Sequence, residues 1–567
     1  RSTPLYSSAA SDVYKRQGLL SAFWVLPFWW NRSHLNDMGW EKLTSYSSYL
    51  WNRDHLAADF LTNDPPLQFA IALAFVGAVL SIIFRRRLGL VLAISAFVLA
   101  LAFIYLPEGR LYNGRLLPAY YLSIYLLAAI AIAEVIRILG FLMNKAAKGK
   151  ERIGNLVSGS IGFLVVLLFI FYLAVPLRVL PGGEMNGNTY KWMGYETEDL
   201  NIGRSWALWN FEGYEARTGD STGGGWEELV DFVITMDDQA RNYGCGRLMW
   251  EYSSELTRYG TPMAPMLMPH WTDGCIGSME GLYFESSTTT PFHFLIQSEL
   301  STAPSRAQRD LPYRSFNIDT GIDHLQQFGV KYYASSSQVA TEKAQQHQSL
   351  NEIANSGPWT IFKVKNSELV TQLDFEPVIF DHLEQSEWLN PAVKVFQEGS
   401  DAVVRTLGGL DNWQQVDLEE TPERIRLPRI EISEINVHTD RIEFKVDKTG
   451  VPVIVKTSYF PNWKTKGAEG PWRATPNLMV VVPTEKEVLL EYGRSPIEIL
   501  SIFLTLAGVI FLVLTARKPN YLDFSSAWFD SNTIISDVDE RLKSWSQSGS
   551  EGNPTETLGF TDEEVRS

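Results

Sequence analysis

Cysteine is nearly absent: the chain carries two, Cys245 and Cys275, in 567 residues. That excludes structural zinc of the paired C-x-x-C kind, which needs four soft ligands at close spacing. If the polar stretch that holds them faces an oxidising compartment, the two pair; otherwise they are two buried thiols. A disulfide closing a loop of about 30 residues would stabilise the fold by roughly 3.6 kcal/mol in the chain-entropy picture. Positive charge is also scarce, with 49 Lys and Arg against 65 Asp and Glu. The formal charge of -16 argues against nucleic acid as a partner, because phosphate binding needs clustered cations. No Ser-His-Asp order or dinucleotide fingerprint stands out. Gly223-Gly224-Gly225 lacks the flanking strand and the Lys that a phosphate loop requires. No internal repeat, initiator Met or signal peptide is visible. Ser7 to Gln17 reads as translated adapter sequence from DNA library preparation, so residues 1–17 are set aside. The expectation is a natural sequence that starts near Gly18, inside an apolar run, and is cut from a longer protein.

What is present divides into two populations, long uncharged apolar runs and a polar middle. A helix needs about 20 apolar residues to cross the hydrocarbon core of a bilayer. Leu67 to Phe84, Leu88 to Leu106, Pro118 to Leu139, Leu156 to Pro176 and Pro496 to Leu514 meet or approach that length. Gly18 to Trp30 is shorter and reads as the stump of another span. Lys and Arg in short loops mark the cytoplasmic side. Arg85-Arg86-Arg87, the group Lys145, Lys148, Lys150 and Arg152, and the pair Arg517-Lys518 all fall on one side if the spans alternate. Segments 31–66, 107–117 and 177–495 are then expected outside, and the C-terminus inside. Trp24, Trp29, Trp30, Tyr105, Tyr120 and Tyr121 suit the interfaces. Glu134, within a span but close to its inner end, has Arg137 one turn on as partner.

The polar middle changes to short mixed elements. Trp226 to Tyr243 has helical spacing, with Leu229, Val230, Phe232, Val233 and Met236 as its apolar stripe. Strands at 246–250 and 329–334, the latter following a helix over 321–328, predict an α/β layer over 177–424. From 425 to 495 the pattern is all-β: Arg441 to Val446 alternates, and Val451 to Thr457, Leu478 to Val482 and Glu487 to Tyr492 follow. A small antiparallel sandwich is expected there, leading directly into a last span over 496–516. Residues 517–567 read as a disordered acidic cytoplasmic tail. The predicted architecture is thus a partial multi-pass helical domain, 18–176, with an extracytoplasmic α/β domain and a C-terminal antiparallel β-sandwich.

Chemistry is most concentrated in the short outer loop 107–118. Its Arg110, Tyr112, Asn113 and Arg115 precede Pro118, which suits the first turn of a helix. A helix N-terminus carries partial positive charge, so an Arg beside it is comfortable when an anion shares the site. The guanidinium fork matches phosphoryl oxygens. These residues are candidates for gripping the phosphate of a lipid-linked sugar; pairing with Glu108 or with phospholipid headgroups are the plain alternatives. In another outer loop, Asp37 and Glu41 are candidate acid or base groups and Trp40 a sugar-stacking ring, against simple solvation. The segments 269–275 and 279–285 are dense in polar and aromatic side chains, and a disulfide-pinned core is favoured there over a glycan surface.

Several of these segments resemble known membrane proteins. Asn113-Gly-Arg-Leu-Leu-Pro118 looks like the N-x-R-x-L-P element of actinobacterial membrane proteins labelled pyruvoyl-tetrahydropterin-synthase-related. Trp209 to Glu215, Tyr259 to Pro262, His270 to Glu285 and Thr289 to Phe294 look like the outer domain of that group. Ser458-Tyr-Phe-Pro-Asn-Trp-Lys464, ahead of a final helix, is similar to the YfhO-type proteins. The resemblance implies a GT-C-type glycosyltransferase in the bacterial plasma membrane. Such a protein takes sugar from a polyprenyl-phosphate donor and passes it, on the outer face, to a cell-envelope glycan. Partners implied are the bilayer, the lipid-linked sugar and the glycan. A divalent cation, Mg or Mn, is compatible as cofactor. In that family the catalytic carboxylate sits in the first outer loop, expected here to lie upstream of Gly18. The competing expectation is a non-catalytic envelope-polymer transporter or glycan-binding scaffold.

Overall fold

The computed structural model describes residues 18–51, 67–108, 112–146, 151–177, 180–186, 189–197, 225–279, 284–399 and 401–516. Every long apolar run in the sequence is helical. Helices α1 (Ala22–Trp30), α2 (Tyr46–Trp51), α3 (Leu67–Ile83), α4 (Arg87–Tyr105), α5 (Leu117–Ala146) and α6 (Glu151–Leu177) follow in order. Of the five expected spans, three stretches are long and apolar enough to cross a membrane: Arg87–Tyr105, Asn113–Met143 and Pro496–Leu514. The apolar parts of α3 and α6, Gln68–Ile83 and Leu156–Ile170, fall short of that length among the described residues. The described residues form two compact units, one within 41–213 and one joining residues up to Trp40 with those from Tyr214 onward. Residues 1–17, the stretch around Trp209 to Glu215, and the tail from Tyr521 lie outside the described residues.

In the 41–213 unit, small residues let helices touch. A Cβ on Gly77 of α3 would sit 2.1 Å from the carbonyl oxygen of Leu127 in α5, so the two backbones meet in van der Waals contact. Ala70, Ala74, Ala96, Phe103, Tyr120, Ile124 and Leu127 form the shared core. The outward face stays apolar, with Leu88 66% and Phe97 65% exposed, as a lipid-facing helix requires and a water-facing one would not. Glu134 is buried and bridges Arg137 Nε at 2.7 Å and Arg86 Nε at 2.5 Å. The pairing with Arg137 was expected; Arg86 joins because it ends the turn before α4. A short meander, β1 (Glu184–Asn186), β2 (Thr189–Trp192) and β3 (Tyr195–Thr197), follows α6.

In the second unit the chain builds an α/β layer as expected. Helix α7 (Gly225–Tyr243) leads to β4 (Gly246–Trp250), then α8 (Met268–Trp271), β5 (Ile276–Ser278), α9 (Thr290–Leu300), α10 (Ile318–Gln327), β6 (Val330–Ser335), α11 (Gln338–Gln346), β7 (Leu350–Ser356) and β8 (Trp359–Val364). The five strands order as β5-β4-β6-β8-β7, with β4 parallel to both β5 and β6. Asn317 caps α10 and Ser337 caps α11 through their side-chain oxygens. Cys245 and Cys275 are disulfide-bonded across the starts of β4 and β5, with Cα atoms 4.7 Å apart.

The remaining strands are β9 (Val370–Gln372), β10 (Val378–Phe380), β11 (Arg405–Leu407), β12 (Gln415–Val416), β13 (Ile432–Val437), β14 (Arg441–Val446), β15 (Val453–Val455), β16 (Trp463–Lys466), β17 (Ala468–Ala474), β18 (Leu478–Pro483) and β19 (Glu487–Tyr492). Helix α12 (Leu389–Gln397) lies among them and α13 (Pro496–Ala516) closes the described chain. A four-stranded sheet, β13-β14-β19-β16, packs on a seven-stranded sheet, β12-β10-β11-β17-β18-β15-β9. The seven-stranded sheet thus draws strands from both sides of residue 425. Both its faces are covered. Met479 and Val481 join Phe444 and Leu490 in one core, while Leu478, Val480 and Val482 join Phe292 and Phe396 in another. Double burial is why β18 reads as an unbroken apolar run rather than an alternating one. Ser495 and Glu498 cap the entry to α13: Ser495 N and Oγ both donate to Glu498 Oε2, at 2.6 and 3.0 Å. Asn462 Nδ2 donates to the same carboxylate at 2.8 Å, tying the Tyr459-Phe-Pro-Asn462 turn to the helix start. Helix α1 pairs with α13: Thr505 Oγ1 accepts from Phe23 N at 3.0 Å.

Candidate functional site

The Asn113–Leu116 segment is a single 3-10 turn that feeds straight into α5. Asn113 is buried, and its amide is engaged with backbone. Its Oδ1 accepts from Leu43 N at 3.0 Å, and its Nδ2 donates to Leu43 O at 3.1 Å and Phe103 O at 3.0 Å. Such a clamp occupies both amide donors of Asn113 and one lone pair of its oxygen, and it positions the turn. A Cβ on Gly114 would lie 2.6 Å from the Tyr112 ring and 3.1 Å from Leu43, so these side chains would have to shift to admit one. Tyr112 has its hydroxyl pKa raised, by burial first and by the neighbouring Tyr49 second. Arg115 is exposed at the end of the turn. Arg110 lies outside the described residues.

Segment 41–51 is stitched to the same place by groups that sequence reasoning did not single out for this role. Lys42 Nζ donates to Ile104 O. Tyr120 and Tyr121 hydroxyls donate to Leu50 O and Tyr49 O, at 3.1 and 2.7 Å. Tyr46 and Tyr49 pack edge-on against Phe103. The aromatic residues near the expected interface therefore order a loop, a task that hydropathy alone does not reveal. Glu41 is exposed and lies two residues before the clamped Leu43.

Asp37 belongs to the other unit. Its Oδ1 accepts from Gly39 N at 3.0 Å, an Asx turn, and its side chain is exposed. The surrounding loop is anchored by Asn36 Nδ2 to Gln308 Oε1 at 2.9 Å and by Trp40 Nε1 to Glu285 Oε1 at 2.8 Å. The Pro269–Cys275 stretch is only partly core: Thr272 is buried, while His270, Asp273 and Gly274 are exposed. Met268 is also buried, Thr272 Oγ1 accepts from Ile276 N at 3.1 Å, and Trp271 packs on Trp226. Among the described residues no cluster of three or more His, Cys, Asp or Glu offers ligands to a metal. Compared with known proteins, the chain matches no family, no curated protein and no solved structure.

Proposed function

We propose that this protein is a membrane glycosyltransferase of GT-C-like architecture in the bacterial plasma membrane, taking sugar from a polyprenyl-phosphate donor to a cell-envelope glycan on the outer face. The observation that supports it is the Arg115 turn. An exposed guanidinium stands at the N-terminal end of a helical stretch long and apolar enough to span a bilayer. A buried Asn113, clamped to backbone, holds it in place. At the membrane surface, that arrangement meets a phosphate with both a planar cation and a helix N-terminus. Arg115, with Arg110, would neutralise the departing prenyl phosphate; the acceptor base would come from the first outer loop upstream of Gly18, with Asp37 and Glu41 as the candidates within this chain. No step is routed through Mg or Mn, because the described residues do not assemble ligands for one.

The test is transfer of radiolabelled sugar from a polyprenyl-phosphate donor by full-length protein in membranes. Arg115→Ala should lower transfer by about 100-fold, the cost of removing one charge-assisted contact to the leaving group, with membrane insertion unchanged. Transfer at wild-type rate by that variant removes Arg115 from the site. A wild-type protein that binds the lipid-linked sugar yet transfers none is instead the envelope scaffold.

A further inference from the structure

We propose that a second pocket, centred on Arg405, binds a small molecule bearing one carboxylate or phosphate. The pocket measures 260 Å³ and opens between the end of α12, the start of β11 and segment 418–424. Arg405 lines it yet is only 3% exposed. Its Nη2 donates to Glu420 O at 3.3 Å, while Nε and Nη1 have no hydrogen-bond acceptor. The Phe380 ring, 5.8 Å away, supplies attraction but no acceptor. The ion pair it makes is loose: Nη1 lies 3.5 Å from an oxygen of Glu398, whose side chain is 43% exposed. A buried guanidinium with donors left open is costly, and an oxyanion removes that cost.

The charged side chains lining the pocket balance, three cations against three carboxylates, so the case for an anion rests on the open donors of Arg405. Lys394 is paired with Glu419 at 2.5 Å, which cancels both. The Glu420 carboxylate accepts from Asp417 N at 3.3 Å. Arg424 also lines the pocket; its guanidinium lies 5.4 Å from the Phe375 ring, and among the described residues no carboxylate pairs with it. The charge of Glu420 offsets that of Arg424, so what the lining leaves open is the pair of Arg405 nitrogens. Ala402, Val403, Leu418 and Pro422 add an apolar wall. The volume is below the range of about 300–1,000 Å³ typical for drug-sized ligands, so the occupant is on the scale of a monosaccharide or smaller. A sugar acid and a phosphoryl group share the required chemistry. Nothing here depends on sugar transfer or on Arg115, so either reading can fail alone.

The experiment is isothermal titration calorimetry of the full chain in detergent with sodium glucuronate, sodium phosphate and glucose. At least one of the two anions should bind with millimolar affinity, and neutral glucose should not. Tighter glucuronate assigns the carboxylate source, and tighter phosphate the phosphoryl source. Arg405→Gln should weaken the bound anion by about ten-fold or more. Glu398→Gln, on a part-exposed side chain that leaves the fold intact, should tighten it about three-fold by freeing the guanidinium from its competing carboxylate. No heat from either anion, equal heat from glucose, or unchanged affinity in Glu398→Gln overturns the proposal.

Discussion

Residues in this protein often do a different job from the one their type suggests. Asn113 sits in the segment richest in candidate chemistry, yet its amide spends both ends on the backbone of Leu43 and Phe103. Glu251 drew no attention in sequence. It is buried at the end of β4 and accepts from the Ser336 and Ser337 amides at 2.9 and 2.8 Å, which places a carboxylate at the start of α11. Neither role is legible from the chain, because Leu43 lies 70 residues from Asn113 and the serines about 85 from Glu251. His34 yields a prediction at this scale. Its pKa is lowered to about 4, by burial first and by the charge of Arg473 second. Unfolded, an imidazole titrates near 6.5. The unfolded chain therefore takes up this proton before the folded one, so stability present above about pH 6.5 declines as pH falls toward 4. His34→Phe should flatten the pH dependence of the apparent melting temperature between pH 7 and 5, measured on the full chain in detergent. Parallel curves for variant and wild type would dismiss the buried imidazole as the cause.

Elements follow the hydrophobic period closely wherever they are long or half-buried. Strands β4, β14 and β19 have the same ends as their sequence patterns, and α7 begins one residue early. Periodicity leaves unseen β9 to β12, two or three residues each and too short for alternation to register, and also β1 to β3, β5, β7, β8, β13, β16 and β17. Strands β9 to β12 join the same sheet as β15, β17 and β18 through contacts far apart in sequence. Helix packing at Gly77 gives the test here. Gly77→Val places a branched side chain where a Cβ alone would meet Leu127 O at 2.1 Å, so α3 and α5 must separate. A loss of about 1–3 kcal/mol is expected, as for overpacking of a tight core. Gly159→Ala in α6, where nothing lies within 4 Å of the added Cβ, should be neutral or slightly stabilising. Equal thermal stability of the two variants in detergent would refute a close α3–α5 contact.

For the whole molecule, three helical stretches are long and apolar enough to cross a membrane, and the proposed function requires the disulfide-bearing part to lie outside the cytoplasm. Met193, in the meander after α6, is 87% exposed. Both native cysteines are already paired. Met193→Cys should therefore react with a membrane-impermeant maleimide in intact cells, and protection until the cells are lysed would place the meander inside. Reducing the Cys245–Cys275 bond, or Cys245→Ser with Cys275→Ser, should cost about 2–4 kcal/mol, read as a lower melting temperature of the full chain. Sequence by itself determined the local plan. Runs of uncharged apolar residues become helices and alternation becomes half-buried strands, because these depend on neighbours within a few positions. Tertiary structure alone decided that Asn113 clamps the Leu43 backbone, that one sheet draws strands from both sides of residue 425 and is buried on both faces, and that Arg405 keeps two nitrogens without an acceptor. Each of those outcomes is a distance between residues remote in the chain, and pattern along a sequence carries no record of distance across a fold.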